Sequence, residues 1–193
     1  VRVSPRAAAQ APSRLGLEPG AEITVGDIVR ALIVKSANDM AVAIAEHIGG
    51  SEERFAQMMT AKARQLGMRS TTFRNASGLP DPGQLTTARD MATLALALMD
   101  RFPRHYPMFA TRAFAYGGAV HRNHNTLLGS FDGTDGIKTG YTSASGFNLV
   151  ASVRRDGRHV VGVYFGGQTA AVRNAHMKVL LTRAIPRAAP SLR

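Results

Sequence analysis

A chain of 193 residues, 45% hydrophobic and 19% charged, is long enough for one domain with a sizeable core and short for two. Its apolar runs fall short of the roughly 18 residues a membrane span needs, and the absence of cysteine excludes disulfides, thiolate catalysis and cysteine metal sites while leaving the redox compartment open. The net charge of +11, from 24 basic against 13 acidic residues, suits an anionic partner, yet the basic residues are scattered singly with no run longer than Arg154-Arg155, which reads as a solvated basic surface rather than a nucleic-acid face.

Residues Val1 to Gly20 are rich in Ala, Pro, Ser and Gly without periodicity and are expected to form loops or short extended pieces, outside the core. The chain opens at Val1 without a Met or a signal-like apolar run, as expected of a processed or partial chain. Thr24-Val25-Gly26-Asp27 has the form of a capping box, and Ile28, Val29, Leu32 and Ile33 behind it predict a helix from about Val25 to Val34. Lys35-Ser36-Ala37-Asn38 interrupts it. Asp39 is expected to cap a second helix, with Met40, Ala43, Ile44 and Ile48 as its apolar positions and Gly49-Gly50 as its end. Ser36 and Asn38 thus fall at a junction between helices.

Ser51-Glu52-Glu53 opens a third helix with Phe55, Met58, Met59, Ala63 and Leu66 as its apolar stripe, both methionines read as core filler. Met68 to Thr86 carries the signals of a long loop. Thr87-Ala88-Arg89-Asp90 opens a helix through Met91, Leu94, Ala95 and Leu98, which Pro103 and Pro107 terminate. Phe114 to Tyr116 reads as extended, His121 to Asn125 as a polar run, and Leu127-Leu128 as a return to the core. His121 and His124 lack a third ligand at a suitable spacing, so no metal site is expected; His47 and His176 are read as helix-surface or core residues. Phe147 to Val153 and His159 to Phe165 are apolar, β-branched strands joined through Asp156-Gly157, a hairpin signal. Thr169 to Ala184 predicts a final helix with Val172, His176, Val179 and Leu180 on one side, and Pro186 to Arg193 a frayed tail. Helices first and strands last give an α+β fold, an antiparallel sheet flanked by helices.

The stretch on which the chemistry turns is Asp135-Gly136-Ile137-Lys138-Thr139-Gly140-Tyr141-Thr142. A short strand there carries a cation, a hydroxyl and bare backbone in succession, a combination able to hold a charged ligand. Asp135 is read as a turn residue, with orienting the strand as its alternative role. With Ser36-Ala37-Asn38-Asp39 the stretch matches two of three elements of an acyl-transfer constellation whose third is Ser-x-x-Lys.

The chain resembles the serine D-alanyl-D-alanine carboxypeptidases, the low-molecular-mass penicillin-binding proteins of peptidase family S11. The resemblance rests on Leu17-Glu18-Pro19-Gly20, Ser36-Ala37-Asn38-Asp39, Phe73-Arg74-Asn75-Ala76-Ser77-Gly78-Leu79, Asn125-Thr126-Leu127-Leu128 and Gly136 to Thr142, in the family's order. It implies a penicillin-binding, β-lactamase-like transpeptidase fold over residues 1–185, with a helical subdomain and 186–193 as tail. It also implies removal of the terminal D-alanine from peptidoglycan stem peptides through an acyl-enzyme, without metal or organic cofactor, in the periplasm or cell envelope. Ser36 would relay a proton to the leaving amine, and Asn38 would position the substrate amide and hold the general-base lysine. Lys138 would keep the site positive and bond Ser36 across one groove, and Thr139 would bind the substrate carboxylate beside Gly140. The Tyr141 N–H would form half of an oxyanion hole, and Arg173 would help hold the carboxylate.

One element is missing: no serine of this chain has lysine three positions on. The resemblance begins in the segment that follows the nucleophile's helix, so that helix and the first sheet strands are expected before Val1, and these residues alone are expected neither to fold well nor to react. With the nucleophile present, β-lactams are expected ligands beside the stem peptide. Peripheral membrane association would come through parts outside this chain. The rival readings are a catalytically inactive binder of peptidoglycan and a serine β-lactamase; the latter wants a deacylating carboxylate that the sequence does not display.

Overall fold

The computed structural model describes residues 1–190. Its contacts fall into two compact units, one of residues 1–86 with 113–123 and one of 87–112 with 124–193.

In the first unit Ser4 accepts from the Ala7 N–H and caps a single turn, α1 (Pro5–Ala8). Val3 and Ala7 are buried, so this segment does join the core, against expectation; its few apolar side chains are too short a series to show a period. The helix α2 (Val25–Val34) lies where the capping box places it, the Thr24 hydroxyl accepting from Asp27 N–H. Helix α3 (Asn38–Gly49) starts one residue before Asp39, and Ala37 at its cap position gives it no side-chain bond. Asp39 is therefore not the cap but a buried first-turn carboxylate. Gly50, at φ 79°, closes the helix in the left-handed region.

Ser51 caps α4 (Glu52–Gln65) as read. Two expected core positions, Ile48 and Met58, are instead 53% and 43% exposed, because the small residues Ala41, Ala45, Ala56 and Ala63 make the buried contact surface. Glu52 is buried, bonded by Arg6 and by the Ala76 N–H, which ties the loop after α4 to the helix start. The polar run at His121 is partly strand: β1 (Ala113–Tyr116) and β2 (Ala119–Arg122) form an antiparallel hairpin about Gly117-Gly118.

In the second unit α5 (Ala88–Arg101), capped by Thr87, leads to a 3-10 turn at Tyr106–Ala110 and a short α6 (Leu127–Ser130). The sheet follows as β3 (Thr134–Thr142), β4 (Gly146–Arg155) and β5 (Arg158–Gly167), antiparallel in that order. Asp156 and Gly157, both at positive φ (53° and 68°), make the two-residue turn that the Asp-Gly step predicts.

Strand β4 is covered on both faces. Leu149, Ala151 and Val153 pack with Leu127, Met177, Leu181 and Ile185, while Val150 joins Ile137, Ala95 and Tyr106. Helix α7 (Ala170–Ala184) buries Arg173, Met177 and Leu181; the expected apolar side, Val172, Val179 and Leu180, is 37–46% exposed. The apolar residues of α7 are spread around it, so the face with Met177 was not the one composition favoured. The tail is not frayed at its start, since Ile185–Arg187 forms a 3-10 turn and Arg158 Nε donates to Ala188 O; residues 191–193 lie outside the described part.

Leu149→Ala should lower the unfolding free energy by about 2–5 kcal/mol through a cavity that two packed layers cannot close, measured as a shifted denaturant midpoint with unchanged slope.

Candidate functional site

In the first unit the Ser36–Asn38 turn is bound to the segment Ala11–Gly16. The Ser13 hydroxyl donates to Lys35 O at 2.8 Å and Ser13 O accepts from Asn38 N at 2.7 Å. Asn38 Nδ2 donates to Ala11 O at 3.0 Å. The buried Asp39 carboxylate accepts from the N–H groups of Leu15 (3.0 Å), Gly16 (2.9 Å) and Met40 (2.9 Å). Ser36 itself sits at φ 57°, a region costly for a residue with a Cβ and one that collects at functional turns. Asp39 is the residue the sequence reading misassigned, and its role is to hold the turn that carries Ser36 and Asn38.

In the second unit Lys138, Thr139, Gly140 and Tyr141 follow one another on β3 opposite Val150, Leu149, Asn148 and Phe147. Lys138 Nζ donates to Thr139 O at 2.8 Å. Burial, and then the charge of Arg173, bring its pKa from 10.5 down to about 8. Arg173, 4% exposed, donates through its terminal nitrogens to Asn148 O (3.3 Å) and Asn174 Oδ1 (2.9 Å), and burial lowers its pKa also. A Cβ on Gly140 would meet only Asn148 Cβ, at 3.9 Å, an ordinary contact, so packing within the chain does not require glycine there. Tyr141 is 61% exposed, its ring on Phe147 at 4.4 Å.

The structure thus groups Lys138, Thr139, Gly140, Tyr141 and Arg173 in one unit and Ser36 with Asn38 in the other. Sequence reasoning gave no role to Asn125, whose Nδ2 donates to Gly136 O at 3.1 Å, nor to Asn148, which bonds the Gly166 N–H and Ser145. Asn125 opens one of the stretches singled out above; Asn148 has no signal besides being polar within an apolar strand. Among the described residues no group of three His, Asp or Glu could hold a metal.

A family model described as D-alanyl-D-alanine carboxypeptidase, Peptidase S11, matches residues 1–169. The D-alanyl-D-alanine carboxypeptidase DacC of Escherichia coli is 38% identical over 167 residues, 86% of this chain and 42% of that protein. Penicillin-binding protein 5 of Haemophilus influenzae has a TM-score of 0.92 at 32% identity, covering 96% of this chain and 56% of that one. Penicillin-binding protein D2 of Listeria monocytogenes, in an ampicillin-bound form, gives 0.76 at 30% identity, over 93% and 71%. The fold is therefore the α+β penicillin-binding fold, and the chain spans about half the length of the curated relatives it matches.

Because the folded pKa of Lys138 lies below its unfolded value, the unfolded chain binds the extra proton between about pH 8 and 10.5, and stability should rise with pH across that window. Lys138→Met should flatten the rise, read from chemical unfolding at pH 7.5, 9 and 10.5; an unchanged slope would show the ammonium to be solvated.

Proposed function

The chain belongs to the D-alanyl-D-alanine carboxypeptidase family, peptidase S11, and from that premise we propose that it carries the substrate-holding and proton-relay part of a serine carboxypeptidase acting on peptidoglycan stem peptides. The observation that supports this most directly is the pair of desolvated cations Lys138 and Arg173 beside the bare backbone of Gly140. Two like charges held out of water bind an anion strongly, and a peptide's terminal carboxylate is the anion this reaction requires.

In the reaction a serine hydroxyl attacks the penultimate D-Ala carbonyl and the carbonyl oxygen becomes negative. In this reading the Tyr141 N–H stabilises that charge, a kind of contact worth about 3–4 kcal/mol of barrier. The C–N bond then breaks, and the departing D-alanine nitrogen takes a proton that Ser36 relays. Water hydrolyses the ester and frees the serine. Asn38 positions the substrate amide, Lys138 supplies positive charge, and Thr139 with Arg173 holds the carboxylate. No metal or organic cofactor enters these steps. The nucleophile belongs to Ser-x-x-Lys, which none of the 193 residues supply. β-Lactams, which also present a carboxylate beside a reactive amide, are ligands of the same site. The stem peptide places the work in the cell envelope; among the described residues no helix is long and apolar enough to cross a membrane.

That missing motif favours a second reading for these residues by themselves, binding without turnover. A tripeptide ending in D-Ala-D-Ala should shift the amide resonances of Thr139 to Tyr141, and its C-terminal amide should bind at least about tenfold more weakly, about 1.4 kcal/mol, as should the free acid with Arg173→Ala. Equal binding of acid and amide would refute the carboxylate clamp. Labelled penicillin should leave no covalent adduct on the 193 residues, and a stoichiometric adduct would show that a nucleophile lies among them.

A further inference from the structure

The register between β3 and β4 changes just before Lys138. Thr134 pairs with Val153 but Gly136 with Ser152, so β3 holds one residue more than β4 at this point, and the extra residue is Asp135. Such a bulge re-aims every side chain after it. Without it, the register of Thr134 would continue to set Lys138 opposite Leu149 instead of Val150 and turn its side chain to the other face of the sheet.

The bulge is held by more than its ladder. The Ser152 hydroxyl, wholly buried, donates to Asp135 Oδ1 at 2.6 Å. With its one proton so used, Ser152 Oγ accepts from Tyr106 OH at 2.6 Å. His159 Nε2 lies 3.1 Å from Asp135 Oδ2, and Arg154 Nε 3.9 Å. Next along the strand, Asn125 Nδ2 takes Gly136 O. A Cβ on Gly136 would stand 3.0 Å from Ser152 Oγ and 3.2 Å from Tyr106 OH and Phe109 Cβ, so the network closes tightly on this glycine and a side chain there would have to push those neighbours back. Burial pushes the Asp135 carboxyl upward, but the bonds from His159 and Ser152, with the charges of His159 and Arg154, outweigh it and leave the group below its ordinary range.

We propose that Asp135 is a positioning residue: anchored by Ser152, Tyr106 and His159, it pins a one-residue bulge and thereby decides which face of the sheet presents Lys138. The use made of Lys138 there rests on the carboxypeptidase reading. The role of the bulge does not, since strand register is observable without substrate.

The chain has four lysines, so reductive ¹³C-methylation gives a small set of resolvable signals, with Lys138 assigned from Lys138→Arg. In Asp135→Ala, cross-strand contacts of Lys138 should move from Val150 to Leu149, and its pKa should rise from about 8 toward 10.5 as the ammonium enters water. Loss of a nearby negative charge alone would act oppositely, lowering the pKa. Asp135→Asn, which keeps an acceptor for Ser152, should retain the parental register. Asp135→Ala with parental contacts and a Lys138 pKa at or below the parental value would overturn the proposal. If Asp135→Ala does not fold, Ser152→Ala decides: mixed registers are expected, and the parental register alone refutes. Failure of the parent to bind a D-Ala-D-Ala peptide, with these register shifts intact, would count against the carboxypeptidase reading and not against the bulge.

Discussion

Two cations kept out of water on one unit are the constraint around which this molecule is arranged. Placing Lys138 and Arg173 where burial disfavours both charges costs stability in the free protein. The surrounding structure must therefore be rigid enough to impose it. That rigidity comes from β4, whose two faces are sealed by α7 on one side and by α5 with the Tyr106 turn on the other. Arg173 reaches the sheet from the same helix that buries Met177 and Leu181, so the packing that stabilises the unit also sets the position of its guanidinium.

Polar anchors then tune what the apolar layers hold. Asn125 fixes the Gly136 carbonyl and the Asp135 network fixes the bulge before Lys138. Asn148 offers its carbonyl to Arg173 while its side-chain oxygen accepts from the Gly166 N–H on β5. In the first unit Asp39 does the equivalent for the Ser36 turn, three N–H groups converging on one buried carboxylate. Each of these groups touches a residue assigned to the chemistry, or that residue's strand or turn, and is bonded within its own unit. This is how a short strand and a strained turn keep functional side chains in one rotamer and register.

Much of this was legible in the sequence, and the reasons are local. Capping chemistry at Thr24, Ser51 and Thr87 located the helix starts, and Asp156-Gly157 located the hairpin, because each depends on a few adjacent residues. What misled was tertiary. Val172, Val179 and Leu180 resemble a core face, but α7 turns Arg173 and Met177 inward because the sheet offers Arg173 a carbonyl and leaves a gap at Gly162, where Met177 packs. Asp39 has the composition of a cap, and only the distant Leu15 and Gly16 amides reveal its other use. Lys138, Thr139 and Gly140 were identifiable as candidates, whereas the bulge at Asp135 was not, since an extra residue is defined only against its partner strand.

The clamp can be tested most directly by counting protons. If a substrate carboxylate settles beside Lys138, it must restore the ammonium, and at pH 8, where the free group is half protonated, binding a D-Ala-D-Ala peptide should take up about half a proton. Calorimetry in two buffers of different ionisation enthalpy measures that number. Uptake near one half, vanishing in Lys138→Met, is the result this structure predicts; binding with no proton uptake at pH 8 would contradict it.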